Sequence, residues 1–180
     1  MKRSLSYKIA LGGTLASMCL MCQFITGVFP LFYIVMPMVC GVLVTVMAAE
    51  TNTRWGFLMY LAVSVLSLFI TPNKDAALIF IMFFGHYPLI RPALLRIKPR
   101  FLSFTLKTLF FNICILLYFA AALFLFGADE LLKEMGEMGK YGGLILLLTA
   151  NIMFASYDYL MDLAQELYIK KLHPKISGKT

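Results

Sequence analysis

Three acidic side chains share one face of the last apolar segment of the chain. Asp158, Asp162 and Glu166 follow one another at intervals of four residues, which places them on the same side of an α-helix. Like charges at that spacing repel unless a cation or water lies opposite them. Asp158 lies deepest in the segment, and an ionisable group inside a membrane is a functional candidate by default. The cationic or titratable partners expected at its depth are Arg91, Lys107, Arg54 and His86.

Two interpretations of this acidic face stay open. In the first, Asp158 belongs to a structural ion-pair seam between helices, and Asp162 and Glu166 are hydrated at the helix exit. In the second, the face forms a proton or cation pathway or contacts a partner protein.

Two asparagines lie near the middle of the last two apolar segments. Asn112 and Asn151 each need a hydrogen-bond partner in an apolar surrounding. They either bond to each other and hold two helices together, or face a polar cavity that binds a solute. Four further polar residues are expected toward the outer surface, where an external solute would enter, although interfacial aromatic residues and ordinary loop charges would look the same. These four are Tyr118, Tyr141, Lys74 and Asp75.

Small residues recur at helical spacing in the first apolar segment. Gly12 and Ala16 are four residues apart, and so are Gly13 and Ser17. Each pair therefore shares one helix face, where another membrane helix can approach closely.

The fourth apolar segment contains an unusual run, Gly85-His86-Tyr87-Pro88, with Pro92 four residues further on. Prolines remove backbone hydrogen bonds, so the run predicts a bent helix end whose freed backbone groups need other partners. The bend is either a functional element or a kinked exit into the next loop. His86 itself is typical of a packed, hydrogen-bonded residue rather than a catalyst.

Motifs of common enzymes are missing from the sequence. It contains no H-E-x-x-H, no G-x-S-x-G and no P-loop. We therefore expect no enzymatic activity, no cofactor and no metal site. The four cysteines all fall in apolar segments and are interpreted as packed thiols: Cys19, Cys22, Cys40 and Cys114.

The composition indicates which elements position these residues. The chain is 61% hydrophobic and 14% charged, with a mean hydropathy of +0.85, whereas soluble domains carry about 25% charged residues. A membrane helix needs about 20 apolar residues. The sequence therefore predicts an all-α, six-transmembrane-helix bundle that forms one integral membrane domain, with a kink at Pro37. The predicted spans are 6–28, 30–49, 55–71, 75–94, 101–126 and 141–167.

The basic residues predict the orientation of this bundle. With six spans, all but three of the 16 basic residues fall on the side of both chain ends; the exceptions are Lys74, Lys133 and Lys140. Basic loops stay cytoplasmic, so both termini are predicted inside, in a multi-pass protein of the plasma or inner cell membrane. The net charge of +7 is thereby attributed to topology rather than to nucleic-acid binding. The loop 128–140 is expected to form a short amphipathic helix on the outer surface, and 174–180 a flexible tail.

Six spans in 180 residues, both ends inside and a small-residue face on the first helix resemble the S components of energy-coupling factor transporters. In that family the first helix docks on a membrane coupling subunit through small residues, here Gly12, Gly13, Ala16 and Ser17. The resemblance implies a solute site near the outer surface, close to Tyr118, Tyr141, Asn151, Lys74 and Asp75. It also implies capture of a small vitamin-like molecule or cation, with uptake driven by partner ATPases.

Two other classes of function remain as alternatives. A membrane scaffold or assembly protein of the cell envelope would need a partner surface and no solute cavity. A self-sufficient ion-coupled carrier would use Asp158 as its coupling group.

Overall fold

The computed structural model describes residues 4–126, 141–168 and 170, and every regular element in these ranges is helical. The prediction of an all-α fold is therefore confirmed. The predictions for the loop 128–140 and the tail 174–180 lie outside the described residues. The helices are α1 (Leu5–Val28), α2 (Val35–Glu50), α3 (Thr53–Ile70), α4 (Lys74–Ile79), α5 (Tyr87–Leu95), α6 (Arg100–Phe126) and α7 (Gly142–Leu167).

Five helical stretches are long and apolar enough to cross a membrane, judged by length and composition. They are Leu5–Val28, Thr53–Ile70, Lys74–Leu95, Arg100–Leu125 and Gly142–Leu167, and each matches a predicted span. The sixth predicted span is the shorter helix α2, whose 16 residues extend about 24 Å, against a hydrocarbon core of about 30 Å.

The second helix begins later than its sequence predicts. Pro30–Phe32 forms a separate 3₁₀ turn, and α2 starts only at Val35. Pro37 therefore lies in the first turn of α2, where a missing N–H removes no intrahelical hydrogen bond. The kink expected at Pro37 is replaced by this break between α1 and α2.

The fourth span is interrupted, as its sequence predicts. A π-helical turn (Phe80–Phe84) follows α4, and its hydrogen bond runs from the Gly85 N–H to the Phe80 carbonyl at 2.8 Å. The next carbonyl, that of Ile81, accepts hydrogen bonds from the Tyr60 hydroxyl at 2.8 Å and from His86 Nδ1 at 3.2 Å. Two side chains thus satisfy a carbonyl at the helix interruption.

The chain divides into two compact units, one up to Leu131 and one from Leu132. In the first unit, α1, α2 and α3 pack against one another, and the fourth span packs against α2 and α6. Reciprocal thiol hydrogen bonds join α1 to α2, because Cys19 Sγ donates to the Cys40 carbonyl and Cys40 Sγ to the Cys19 carbonyl. In the second unit, four of the five buried residues of α7 follow helical spacing along one face: Phe154, Tyr157, Asp158 and Met161.

One glycine controls the approach of three helices in the first unit. A Cβ atom added to Gly56 of α3 would lie 2.8 Å from Leu89 Cδ2 of α5 and 3.0 Å from the Ala48 Cβ of α2. The Ala48 Cβ is fixed to the backbone, so α2 and α3 would have to separate to make room.

We expect Gly56→Ala to lower the free energy of unfolding by about 1–3 kcal/mol, the usual cost of overpacking. Gly13→Ala is the matched control, because a Cβ at Gly13 meets no atom within 4 Å. Thermal unfolding in detergent, followed by circular dichroism, measures both variants. Equal midpoints for the two variants would contradict this account of the packing.

Candidate functional site

Three of the four residues predicted near the outer surface meet at the start of the fourth span. Tyr118 of α6 donates a hydrogen bond to Asp75 Oδ1 of α4 at 3.3 Å. Lys74 Nζ donates to the carbonyls of Leu68, at 2.8 Å, and Thr71, at 2.9 Å. These carbonyls end α3, where a cation is favoured by the helix dipole. Three of the predicted residues therefore form one connected group that joins α3, α4 and α6.

Five polar side chains of α1 and of the C-terminal part of α3, including the residue that follows it, are buried. We name them the α1–α3 polar cluster: Gln23, Thr26, Ser64, Ser67 and Thr71.

The cluster has one hydrogen bond between its two chain segments. The Thr71 hydroxyl donates to Gln23 Oε1 at 3.3 Å, and both residues are fully buried. Gly27 makes this contact possible, since a Cβ at that position would lie 2.6 Å from Pro72 Cβ and Cγ. The turn after α3 therefore sits directly on α1, with Thr71 against Gln23.

Two polar atoms of the cluster are buried without any hydrogen-bond partner in the part of the chain that the structure describes. They are Gln23 Nε2 and Ser64 Oγ. Two other hydroxyls donate to carbonyls of their own helices: Thr26 to the Gln23 carbonyl at 2.6 Å, and Ser67 to the Ser64 carbonyl at 2.9 Å. An unsatisfied buried donor costs about 1–3 kcal/mol, so its presence calls for an explanation.

Gln23 is the residue that sequence reasoning missed. It is the one amide side chain in the 24-residue helix α1, and a lone amide inside an apolar helix was an available signal. Its importance depends on the packing of α1 against α3, which hydropathy does not reveal.

His86 is packed and hydrogen-bonded. Its ring is bound to the Ile81 carbonyl through Nδ1 and lies 3.9 Å from Cys114 Sγ through Nε2. The rings of Tyr60 and Phe110 flank it, with centroids 5.8 and 5.6 Å away. These contacts give His86 a structural role at the interruption of the fourth span.

The two central asparagines bond within their own helices. The Asn112 amide donates to the Thr108 carbonyl and the Asn151 amide to the Leu147 carbonyl, each at 2.8 Å. They belong to different units of the chain, as do Tyr118 and the exposed Tyr141, which precedes α7.

The three acids of α7 differ in exposure. Asp158 is 8% exposed, whereas Asp162 and Glu166 are exposed, and Glu166 pairs with Lys170 one helical turn later. Arg91, one of the expected partners, is fully buried in the first unit.

The two small-residue pairs of α1 face different surroundings. A Cβ at Gly12 would lie 3.3 Å from Met47 Cε of α2, so this position packs inside the first unit. Gly13 and Ser17 are exposed, and the Ser17 hydroxyl donates to the Gly13 carbonyl at 2.9 Å. Ala16 is half-buried. Of the predicted docking residues, Gly13 and Ser17 therefore remain accessible to a partner.

The four cysteines are free thiols. Among the described residues, no group of three His, Cys, Asp or Glu side chains is placed to hold a metal ion.

No protein-family model matches the chain, and neither a curated protein nor a solved structure matches it.

We expect a double substitution in the cluster to stabilise the protein. Thr71→Val alone removes the one partner that the Gln23 Oε1 has among the described residues and should cost about 1 kcal/mol. Gln23→Met combined with Thr71→Val removes both ends of the bond together with the unpartnered Nε2, and should unfold at or above the wild-type midpoint. The unfolding midpoints of dialysed wild type, Thr71→Val and the double variant are compared by thermal unfolding. A double variant less stable than Thr71→Val would contradict the interpretation that Gln23 Nε2 is unsatisfied.

Proposed function

We propose that the chain is a membrane-embedded solute-binding subunit, which captures a small vitamin-like molecule or cation for uptake driven by partner ATPases. The observation that carries this proposal is the buried Gln23 Nε2, which has no hydrogen-bond partner among the described residues. It lies in a polar cluster that connects through Thr71 to Lys74.

The chemistry of the cluster favours an organic solute over a cation. Gln23 Nε2 is a donor, and a donor binds a carbonyl, carboxylate or ring-nitrogen acceptor rather than a metal or ammonium ion. The Ser64 hydroxyl can donate or accept. A solute that supplies an acceptor to Gln23 would remove the cost of the buried amide, so part of its affinity would come from that relief.

The neighbouring charges fit an entrance to this cluster. Asp75 and Lys74 lie at the start of α4, next to the turn that holds Thr71 against Gln23. By the predicted topology this turn faces the outer surface, where a solute would arrive.

A scaffold explains the cluster less well. A protein that only assembles other proteins gains nothing from an unsatisfied buried amide, and an apolar residue at position 23 would serve it better. The ion-coupled carrier remains the second candidate, because the burial of Asp158 supports a coupling group there.

Native mass spectrometry of the chain, gently purified from its host membrane, tests solute capture. We expect wild-type protein to retain a small molecule, and the Gln23→Met/Thr71→Val variant to lose it while remaining folded. Thr14→Val is the matched control, since Thr14 is exposed on the same helix and bonds to the Ala10 carbonyl. Bare wild-type protein would count against solute capture. A retained solute without co-purifying ATPases would favour the carrier.

We expect docking to a partner membrane subunit to depend on Gly13 and Ser17. Gly13→Leu/Ser17→Leu adds bulk to an exposed face, so it should abolish co-purification of the partner and leave the thermal midpoint unchanged. Gly12→Leu, in contrast, should lower the midpoint, because it collides with Met47. If the Gly13/Ser17 variant still assembles, the proposed docking face is wrong.

A further inference from the structure

A cavity of about 380 Å³ lies where α5 ends and α6 begins. The α3–α4 turn, and with it the α1–α3 polar cluster, is at the opposite end of these helices in the first unit. The cavity is walled by the end of α5, the connecting loop and the first two turns of α6. The residues that line it are Leu95, Ile97, Arg100, Ser103, Phe104 and Lys107.

Two of the lining residues are cations, and none of the described lining residues is acidic. Arg100 is exposed and makes no hydrogen bond or ion pair with the described residues. Lys107 lies two turns further along α6 and is 6% exposed. The whole stretch from Arg91 to Lys107 contains five basic residues and no acidic one. The cavity therefore sits in a stretch of the sequence that carries five positive charges and no negative one.

The remaining walls of the cavity are apolar. Leu95 and Phe104 are each about half exposed, at 44% and 51%, and Ile97 lies between them in the loop. The Ser103 hydroxyl donates to the Leu94 carbonyl at 2.8 Å, which fixes the start of α6 against the end of α5. The cavity thus combines cationic and apolar walls in a corner that a hydrogen bond holds in place.

We propose that this cavity binds the headgroup of an anionic phospholipid. The Arg100 guanidinium meets the phosphate oxygens, to which its planar group of N–H donors is well matched. The upper acyl chain lies against Leu95 and Phe104. By the predicted topology this end of the first unit faces the cytoplasm, where the leaflet is rich in anionic lipids and basic pockets between helices bind their headgroups.

A lipid accounts for the walls better than a free anion does. A free phosphate needs cations and hydrogen-bond donors but no apolar surface. Phe101, which follows Arg100 on α6 and lies three residues before Phe104, is 79% exposed. It adds apolar surface beside the cavity, against which an acyl chain can lie.

The test uses native mass spectrometry of the full chain mixed with equal amounts of phosphatidylglycerol and phosphatidylcholine that carry the same acyl chains. We expect the wild-type protein to prefer phosphatidylglycerol, and Arg100→Gln to lower that preference by about tenfold, as loss of a charge-assisted bidentate contact would. Arg96→Gln is the matched control. Arg96 is exposed in the same loop, has the same charge and does not line the cavity.

Several outcomes would overturn the proposal. One is no headgroup preference in the wild type, and another is an equal loss for Arg96→Gln and Arg100→Gln, which would indicate a diffuse charge effect. Displacement of phosphatidylglycerol by millimolar inorganic phosphate would indicate a free-anion site instead. Arg100→Lys keeps the charge but not the planar donors, so it should retain part of the preference. A retained preference would show that substitution at position 100 does not itself unfold the site. Circular dichroism of each variant confirms that it is helical.

Discussion

In an apolar surrounding, each backbone N–H and carbonyl must find its partner inside the protein. At the interruption of the fourth span, the backbone groups lack the regular hydrogen bonds of an α-helix and need other partners. There the Ile81 carbonyl is satisfied by Tyr60 of α3 and by His86. His86 in turn contacts Cys114 of α6. The contacts around this one backbone acceptor thus link α3, the fourth span and α6. The contact between Asp75 and Tyr118 depends on the same arrangement of helices.

The same constraint distinguishes Gln23 from hydroxyl side chains that bond within their own helix. Several hydroxyls in these helices bond to a carbonyl one turn earlier, as Thr14, Ser17 and Ser67 do, and each of these is satisfied without a second helix. A glutamine side chain is longer and has a donor and an acceptor at its end. In Gln23 the acceptor is used by Thr71 and the donor by no described residue. These three hydroxyls are therefore local to their helix, whereas the Gln23 donor needs a partner from elsewhere.

Hydropathy predicted the helices of this chain well, because the apolar length needed to span a bilayer dominates the sequence. The interruption at Gly85 and His86 was also predictable, since Pro88 and Gly85 disfavour a continuous helix. The start of α2 was not, because a proline can lie inside a helix or in its first turn, and the sequence around Pro37 fits both. Tyr118 and Asp75 were each predicted to lie toward the outer surface, but their hydrogen bond depends on how α6 packs on α4. Gln23 was not predicted, because an amide carries no charge and its importance depends on how α1 packs against α3.

The first unit separates its polar groups by charge. Cations gather at the junction of α5 and α6, whereas the groups buried between α1 and α3 are neutral amides and hydroxyls. Basic residues placed at both ends of the helices would weaken the asymmetry that sets orientation. Under the predicted topology the cations set the orientation, which is a reason for the other end of the first unit to hold few of them. Lys74 is the described cation at that end, bound to the carbonyls that end α3. Under the proposed function, recognition at that end rests on hydrogen bonds from neutral groups, which suits a polar organic solute and makes binding weakly dependent on salt.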